Sequence, residues 1–278
     1  MRKGNTAMKK ILCMFVLCLL LSVAARAETL SIGDESINYT VPQGYMAGDK
    51  EPYLGIRRFV ANASPKNIQI LALYVDEESH KKLMDSQEQR LERYFIVSSA
   101  RQLENKSLKV KDFMEVKKGI VKAQERLKTT LRARINRLLG QASDGSMSVG
   151  DIETLGVFDS SDTSFSFMAV MDQVHNENGR RQADKQAVVS SYLLAQGKLV
   201  IVNQYQLLDP ARNMTEQLNA AKEHARRVLR ELNIKEGVSW KAYLDAFPVK
   251  VLVGALAGGL IGGLIGWLVR RRKKQAAA

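Results

Sequence analysis

The chain has 278 residues, a formal net charge of +13, 45 % hydrophobic residues and two cysteines. That balance excludes a low-complexity disordered chain and a disulfide-stapled miniprotein, and the length suffices for one sizeable core. The charge is unevenly placed: residues 1–27 hold five of the 42 Lys and Arg, residues 248–278 hold six, and neither segment contains an acid, so the body carries 31 cations against 29 anions. A body so nearly neutral lacks the electrostatic footprint of a general phosphate-backbone binder, and nucleic acid is not an expected partner.

Met8-Lys9-Lys10, the apolar run 11–23 and Ala25-Arg26-Ala27 read as a secretory signal peptide over residues 1–27. An uncleaved anchor is the alternative, and it would also send the following chain outward. Cys13 and Cys18 lie in the apolar run without the small residue that a lipoprotein signal places before its cysteine. The main domain, 28–238, then has no cysteine and is expected in a bacterial periplasm.

Within that domain, 36–41 alternates Ile37, Tyr39 and Val41 with polar neighbours and stops at Pro42-Gln43-Gly44, a strand and a turn. Segments 53–61 and 67–75 read as two strands joined by 62–66. Asp76 is expected to cap a helix whose Leu83, Gln87, Leu91, Tyr94, Phe95 and Ser98 fall at spacings of three and four, with Glu77 and Glu78 in its first turn.

A second helix is expected over 110–139, inside a basic segment drawn at 108–139. Its stripe is Phe113, Val116, Ile120, Ala123, Leu127, Leu131, Arg134 and Leu138. Residues 106–139 hold eleven cations and three anions. The plainest reading is a solvated outer face; a surface for anionic lipid or an acidic partner comes second, and nucleic acid third. After 143–146, strands are expected at 151–158, 164–174, 186–195 and 199–207, with hairpin turns at Asn178-Gly179 and Gln196-Gly197. Asp209-Pro210 is expected to start a helix reaching Leu232, with Leu218, Ala221, Ala225, Val228 and Leu232 buried.

Strands, helices, a strand meander and a closing helix give an α+β fold with a mostly antiparallel sheet packed with helices, plus one C-terminal transmembrane helix. The stretch Tyr39-Thr40-Val41-Pro42-Gln43-Gly44-Tyr45 and the closing order of strand, Gly197 turn, strand and helix resemble the PsbP/Mog1-like α/β/α sandwich domains of bacterial envelope proteins. The resemblance covers about residues 30–235, and the long basic helix departs from it. It implies a binding or assembly role rather than catalysis.

The motifs of chemistry are sparse. His80, His175 and His224 have no metal-ligand spacing and read as surface histidines; 145–150 lacks the GxSxG spacing; Asp159-Ser160-Ser161-Asp162 reads as a hairpin tip rather than a calcium loop. No catalytic, cofactor-binding or metal residue is assigned and no cofactor is expected. A carboxylate pair assembled only in three dimensions, making an envelope hydrolase, stays open, as does a ligand sensor acting through a partner.

Residues 251–269 form an uncharged run of nineteen, ten of them Val, Leu or Ile. As a helix it is about 28 Å long, close to the roughly 30 Å of a bilayer's hydrocarbon core. Trp240, Tyr243 and Phe247, in or beside a juxtamembrane segment at 239–250, and Trp267 at the other end are expected interface anchors. Arg270, Arg271, Arg272, Lys273 and Lys274, in the tail 270–278, place that end in the cytoplasm of a bacterial inner-membrane protein.

The expected reading is a single-pass, membrane-anchored periplasmic binding or assembly domain whose partners are membrane lipid, a second copy and an unidentified envelope protein. Gly254, Gly258, Gly262 and Gly266, flanked by Gly259 and Gly263, leave one helix face almost bare, which suits close packing of a second span; the bland alternative is that glycine is common in membrane helices anyway. If the face mediates a homo-oligomer, Gly258→Leu with Gly262→Leu abolishes cross-linked dimers in membranes, and unchanged cross-linking removes the idea.

Overall fold

The computed structural model describes residues 27–49, 52–85, 91–142, 147–177 and 180–236. Residues 1–26 of the expected signal, the span and the basic tail, together with the glycine face and the four aromatic anchors, lie outside these residues, while the signal's last residue, Ala27, opens the first strand. Among the described residues, no helix is long and apolar enough to cross a membrane.

A hairpin of β1 (Ala27–Ile32) and β2 (Glu35–Thr40) precedes β3 (Tyr45–Ala47), α1 (Leu54–Ala63), β4 (Ile68–Asp76), α2 (Glu77–Asp85) and β5 (Arg93–Ala100). Then come the long α3 (Val110–Ala142), the strands β6 (Met147–Ser160), β7 (Ser164–Glu177), β8 (Arg180–Ala195) and β9 (Lys198–Leu208), and finally α4 (Met214–Leu232). Seven strands make one antiparallel sheet in the order β3-β4-β5-β9-β8-β7-β6, with the β1–β2 hairpin separate. Helix α3 carries the chain from the middle of the sheet to its far edge, and the meander returns until β9 lies against β5. The α+β class with a large antiparallel sheet is as expected.

Strand periodicity sends alternate side chains to two covered faces. On β5, Tyr94 and Ile96 meet the helices α1 and α2, while Phe95 and Val97 meet the hairpin and α4; all four are at most 2 % exposed. The first face holds Tyr53 at the N-cap of α1 with Ile56 and Val60 of that helix, Leu83 of α2, and Phe113, Val116 and Ile120 of α3. Its rings pack in register: Tyr94 stacks on Tyr205 at 4.7 Å and Phe165 on Tyr192 at 4.8 Å. The edge strand is also blunted there, because Asn136 of α3 accepts from the Val149 N–H at 2.6 Å and donates to its carbonyl at 3.1 Å.

On the second face, Leu30, Ile32, Ile37 and Tyr39 of the hairpin share a core with Val200, Val202, Val228 and Leu232. Ala221 and Ala225 let α4 approach the sheet closely, so that the buried Gln204 amide donates to the Ala225 carbonyl at 3.3 Å. The α4 stripe is as expected, with Ala221, Ala225, Val228 and Leu232 buried and Leu218 partly so. So are the meander and the turn at Gln196-Gly197, whose φ values are +51° and +81°; the expected tip at 159–162 lies at 161–163, because Asp159 and Ser160 still pair within β6.

Four expectations need correction. Segment 53–61 is not a strand but α1, because Tyr53, Ile56 and Val60 repeat at helical spacing and bury together. The helix after Asp76 ends at Asp85, and Tyr94, Phe95 and Ser98 belong to β5; a strand buried on both faces loses the alternation that would have marked it. Asp209-Pro210 does not start α4. The cap is Asn213, whose side chain accepts from the Glu216 N–H at 3.2 Å, while Asp209 closes a turn by accepting from the Ala211 N–H at 2.9 Å. The second helix extends to Ala142; Phe113, Val116 and Ile120 are buried as expected, and the side chains of Ala123, Leu127, Leu131, Arg134 and Leu138 lie outside the described residues.

The hairpin is clasped to the β5–α3 connection by a buried cation. Lys198, 2 % exposed, donates from Nζ to Asp34 Oδ1 at 2.9 Å and to the Glu104 carbonyl at 2.7 Å. Gly33 turns beside it at φ +60°, where a Cβ would lie 2.0 Å from the Glu104 carbonyl oxygen; Gly44, at φ +79°, has nothing within 4 Å of that position. Gly44→Ala is therefore expected to cost about 1–2 kcal/mol of backbone strain alone, and Gly33→Ala about 3 kcal/mol or more because the steric clash adds to the strain. Urea unfolding of the two variants checks this, and equal midpoints would show that the turn does not press on the connection.

Candidate functional site

The buried stripe of α4 determines what its flank presents. His224 and Arg227 each precede a buried stripe residue, Ala225 and Val228, so they line one side of the helix instead of facing solvent squarely. Beyond the hairpin, where β4 ends and β5 begins, a cleft opens between that flank and the sheet. Its two parts share Arg93, Gln206 and Ala220 as lining. The part beneath His224, Arg227 and Arg230 measures about 510 Å³, and the part toward Lys82, Glu92, Asp184 and Asp209 about 780 Å³. Arg93 and Gln206 stand side by side because they are the first register pair between β5 and β9.

At the α4 end, a relay orients one guanidinium. His224 Nε2 lies 2.6 Å from the Tyr45 hydroxyl and Nδ1 lies 3.1 Å from Arg227 Nη2. A guanidinium only donates, so Nδ1 must accept, the ring proton sits on Nε2, and the imidazole donates to the Tyr45 oxygen. The ring is thus neutral. Burial first, then the charges of Arg93 and Arg227, push its pKa down to about 4. Burial, with Asp76 next, raises the Tyr45 hydroxyl above its usual range, so the phenol stays protonated. Tyr45 is in turn fixed edge-on against Phe95 at 4.8 Å.

Among the described residues, Arg93 has a carboxylate near one end only. Its Nη1 lies 3.6 Å from Asp76 Oδ2, while its Nε is buried and makes no hydrogen bond among the described residues. The acids around the cleft are largely engaged by the protein itself. Asp76 Oδ1 accepts from the Ser79 N–H at 3.0 Å, Glu92 pairs with Lys82 at 2.7 Å, Asp209 lies 3.4 Å from Arg212, and Glu223 is held by Arg226. Glu231 accepts from the Gln43 N–H at 3.1 Å and stands 3.9 Å from Arg227 Nε. Cationic N–H groups therefore predominate at the α4 end.

Reading His80 and His224 as surface histidines is corrected: each is partly buried against a tyrosine, His80 Nδ1 lying 2.6 Å from the Tyr53 hydroxyl. The His175 side chain lies outside the described residues. Asp159 belongs to β6, paired with Ser166, rather than to the hairpin tip, and its carboxylate is taken by the Ser160 N–H and Arg226. Among the described residues, no three His, Cys, Asp or Glu side chains gather to hold a metal ion. Sequence reasoning missed Tyr45, Arg93, Gln206 and Arg227. The one legible signal was His224 and Arg227 running beside the apolar stripe of α4.

The relay has a pH signature. The folded chain protonates His224 only near pH 4, the unfolded chain near 6.5, so the unfolded state binds the extra proton between those values. Its contribution to stability is complete above about 6.5 and is lost as pH falls toward 4. An NMR titration of the ring is expected to show a midpoint near 4, and His224→Asn should remove that part of the acid sensitivity; a midpoint at 6.5 would mean a solvated, unengaged ring.

No family model matches the chain, and no curated protein does. Among solved structures it is weakly similar to a point mutant of Protein Mog1, at 15 % identity and a TM-score of 0.30, over 75 % of this chain and 93 % of that one.

Proposed function

We propose that this protein is a binding or assembly component of a bacterial cell envelope, its α+β domain held on the periplasmic face of the inner membrane by the span at 251–269, with 270–278 in the cytoplasm. The observation that carries the binding role is the cleft beside α4. Its lining arginine, Arg227, is aimed by a neutral histidine whose two nitrogens are both engaged, an arrangement suited to holding a ligand and poorly suited to moving protons. The tether is supported by the uncharged run and the five cations that follow it.

In this reading the cleft faces a soluble or membrane-borne component of the periplasm, and the glycine face pairs spans. Affinity capture from detergent-solubilised membranes, comparing the native chain with Arg227→Asp, is the direct test. The charge reversal is expected to lower recovery of the bound component at least about tenfold while leaving the protein folded. A reporter active only in the cytoplasm, fused after Ala278, should give signal. A silent reporter, or a full-length product soluble without detergent, would overturn the tether; equal capture by both proteins would overturn the role of the cleft.

A further inference from the structure

We propose that the α4 end of the cleft is a phosphate-binding site, formed by Arg93 and Arg227 with Arg230 at the rim and the Gln206 amide on the floor. The inference rests on the binding role proposed above and names the chemistry of the ligand. Three guanidiniums from two elements line one space of about 510 Å³. A carboxylate offers two oxygens whose acceptor directions lie in one plane, which a guanidinium fork matches; a phosphate offers oxygens in tetrahedral directions and can take donors from several sides.

The protein's own acids do not fill this role. Glu223 is turned to Arg226, Asp76 reaches only Nη1 of Arg93, and Glu231 approaches only Nε of Arg227. Arg93 Nε is buried without a hydrogen bond among the described residues, while the side chain as a whole is 34 % exposed and lines the space. His224 is a positioning residue. Its Nδ1 holds one Nη of Arg227, fixing the fork before a ligand binds, and its neutrality lets Arg93 and Arg227 approach one ring without a further buried charge.

Phosphate chemistry has two sources beside a membrane: free or monoester phosphate in solution, and the phosphodiester of a lipid headgroup. The full chain in a non-ionic, phosphate-free detergent is titrated by calorimetry, at matched ionic strength, with inorganic phosphate, glycerol 3-phosphate, glycerophosphoglycerol and acetate. Saturable binding of the first two assigns a soluble ligand, saturable binding of the diester assigns a headgroup, and either result supports the site. Arg227→Gln and Arg93→Gln should each weaken binding about tenfold or more, and Arg212→Gln, at the other end of the cleft, less than about twofold.

Rescue by His224→Gln, which can accept from Arg227, but not by His224→Leu, separates positioning from a merely structural role. The Arg227 side chain is 51 % exposed, so its variant keeps the test valid if Arg93→Gln unfolds. Failure of all three phosphate titrations, acetate binding as tight as phosphate, or unchanged affinity in Arg227→Gln overturns the proposal. Such a failure leaves the tether and the capture result untouched, and a misplaced reporter leaves the titration untouched.

Discussion

The pairing of β5 with β9 is the constraint on which the rest of the molecule depends. It joins segments far apart in sequence: Ser99 Oγ donates to the Leu199 carbonyl across a separation of 100 residues. Closing a loop of that length costs about 4 kcal/mol of chain entropy. Burial of Tyr94, Phe95, Ile96 and Val97 on two faces, at about 1.5–3 kcal/mol for each large apolar side chain, exceeds that cost. Once the pair forms, α3 and the meander must lie between its partners, and both helical layers have a sheet to cover.

The same pairing builds the cleft. Its first register pair places Arg93 beside Gln206 at the end of the sheet, where both line the space beside α4. Alanines at 221 and 225 draw α4 down onto the sheet, bringing His224 within hydrogen-bond reach of Tyr45. Core packing thus sets the geometry of the polar site, and the site's distances are only as firm as the packing of Phe95 and Val228 beneath it. The Lys198 clasp does similar work at the opposite end, where it adds to the hydrogen bonds that Tyr74 of the sheet makes with Glu28 and Tyr39 of the hairpin.

Electrostatically, the cleft shows why a count of charges misleads. The body contains acids and bases in similar number, yet most acids near the cleft are occupied by caps, turns or neighbouring cations, while three guanidiniums line one part of it. Burial, with the charges of Arg93 and Arg227, keeps His224 neutral, and its neutrality is what allows two arginines to stand near one ring. A basic patch read from sequence would have pointed to α3; the guanidiniums that converge on one space lie instead at a site with far fewer cations.

Local periodicity decided much of the fold in advance. The four-strand meander, the tight turn at Gln196-Gly197 and the buried stripe of α4 follow from spacings of two and nearly four residues, and from a position where the backbone must take positive φ. Periodicity failed where burial is two-sided or dense: Tyr94 to Val97 satisfies both periods, and Tyr53, Ile56 and Val60 sit among enough apolar neighbours to resemble a strand. The site was barely legible. Its residues come from positions 45, 93, 206, 224 and 227, on four separate elements, and no local pattern encodes their meeting. Each residue's own segment determines whether it lies in a strand or a helix, because hydrogen bonding and side-chain direction are local. Which charges converge, and which remain unmet, was decided only by the register of β5 on β9 and the close seating of α4, because both are properties of the packed chain.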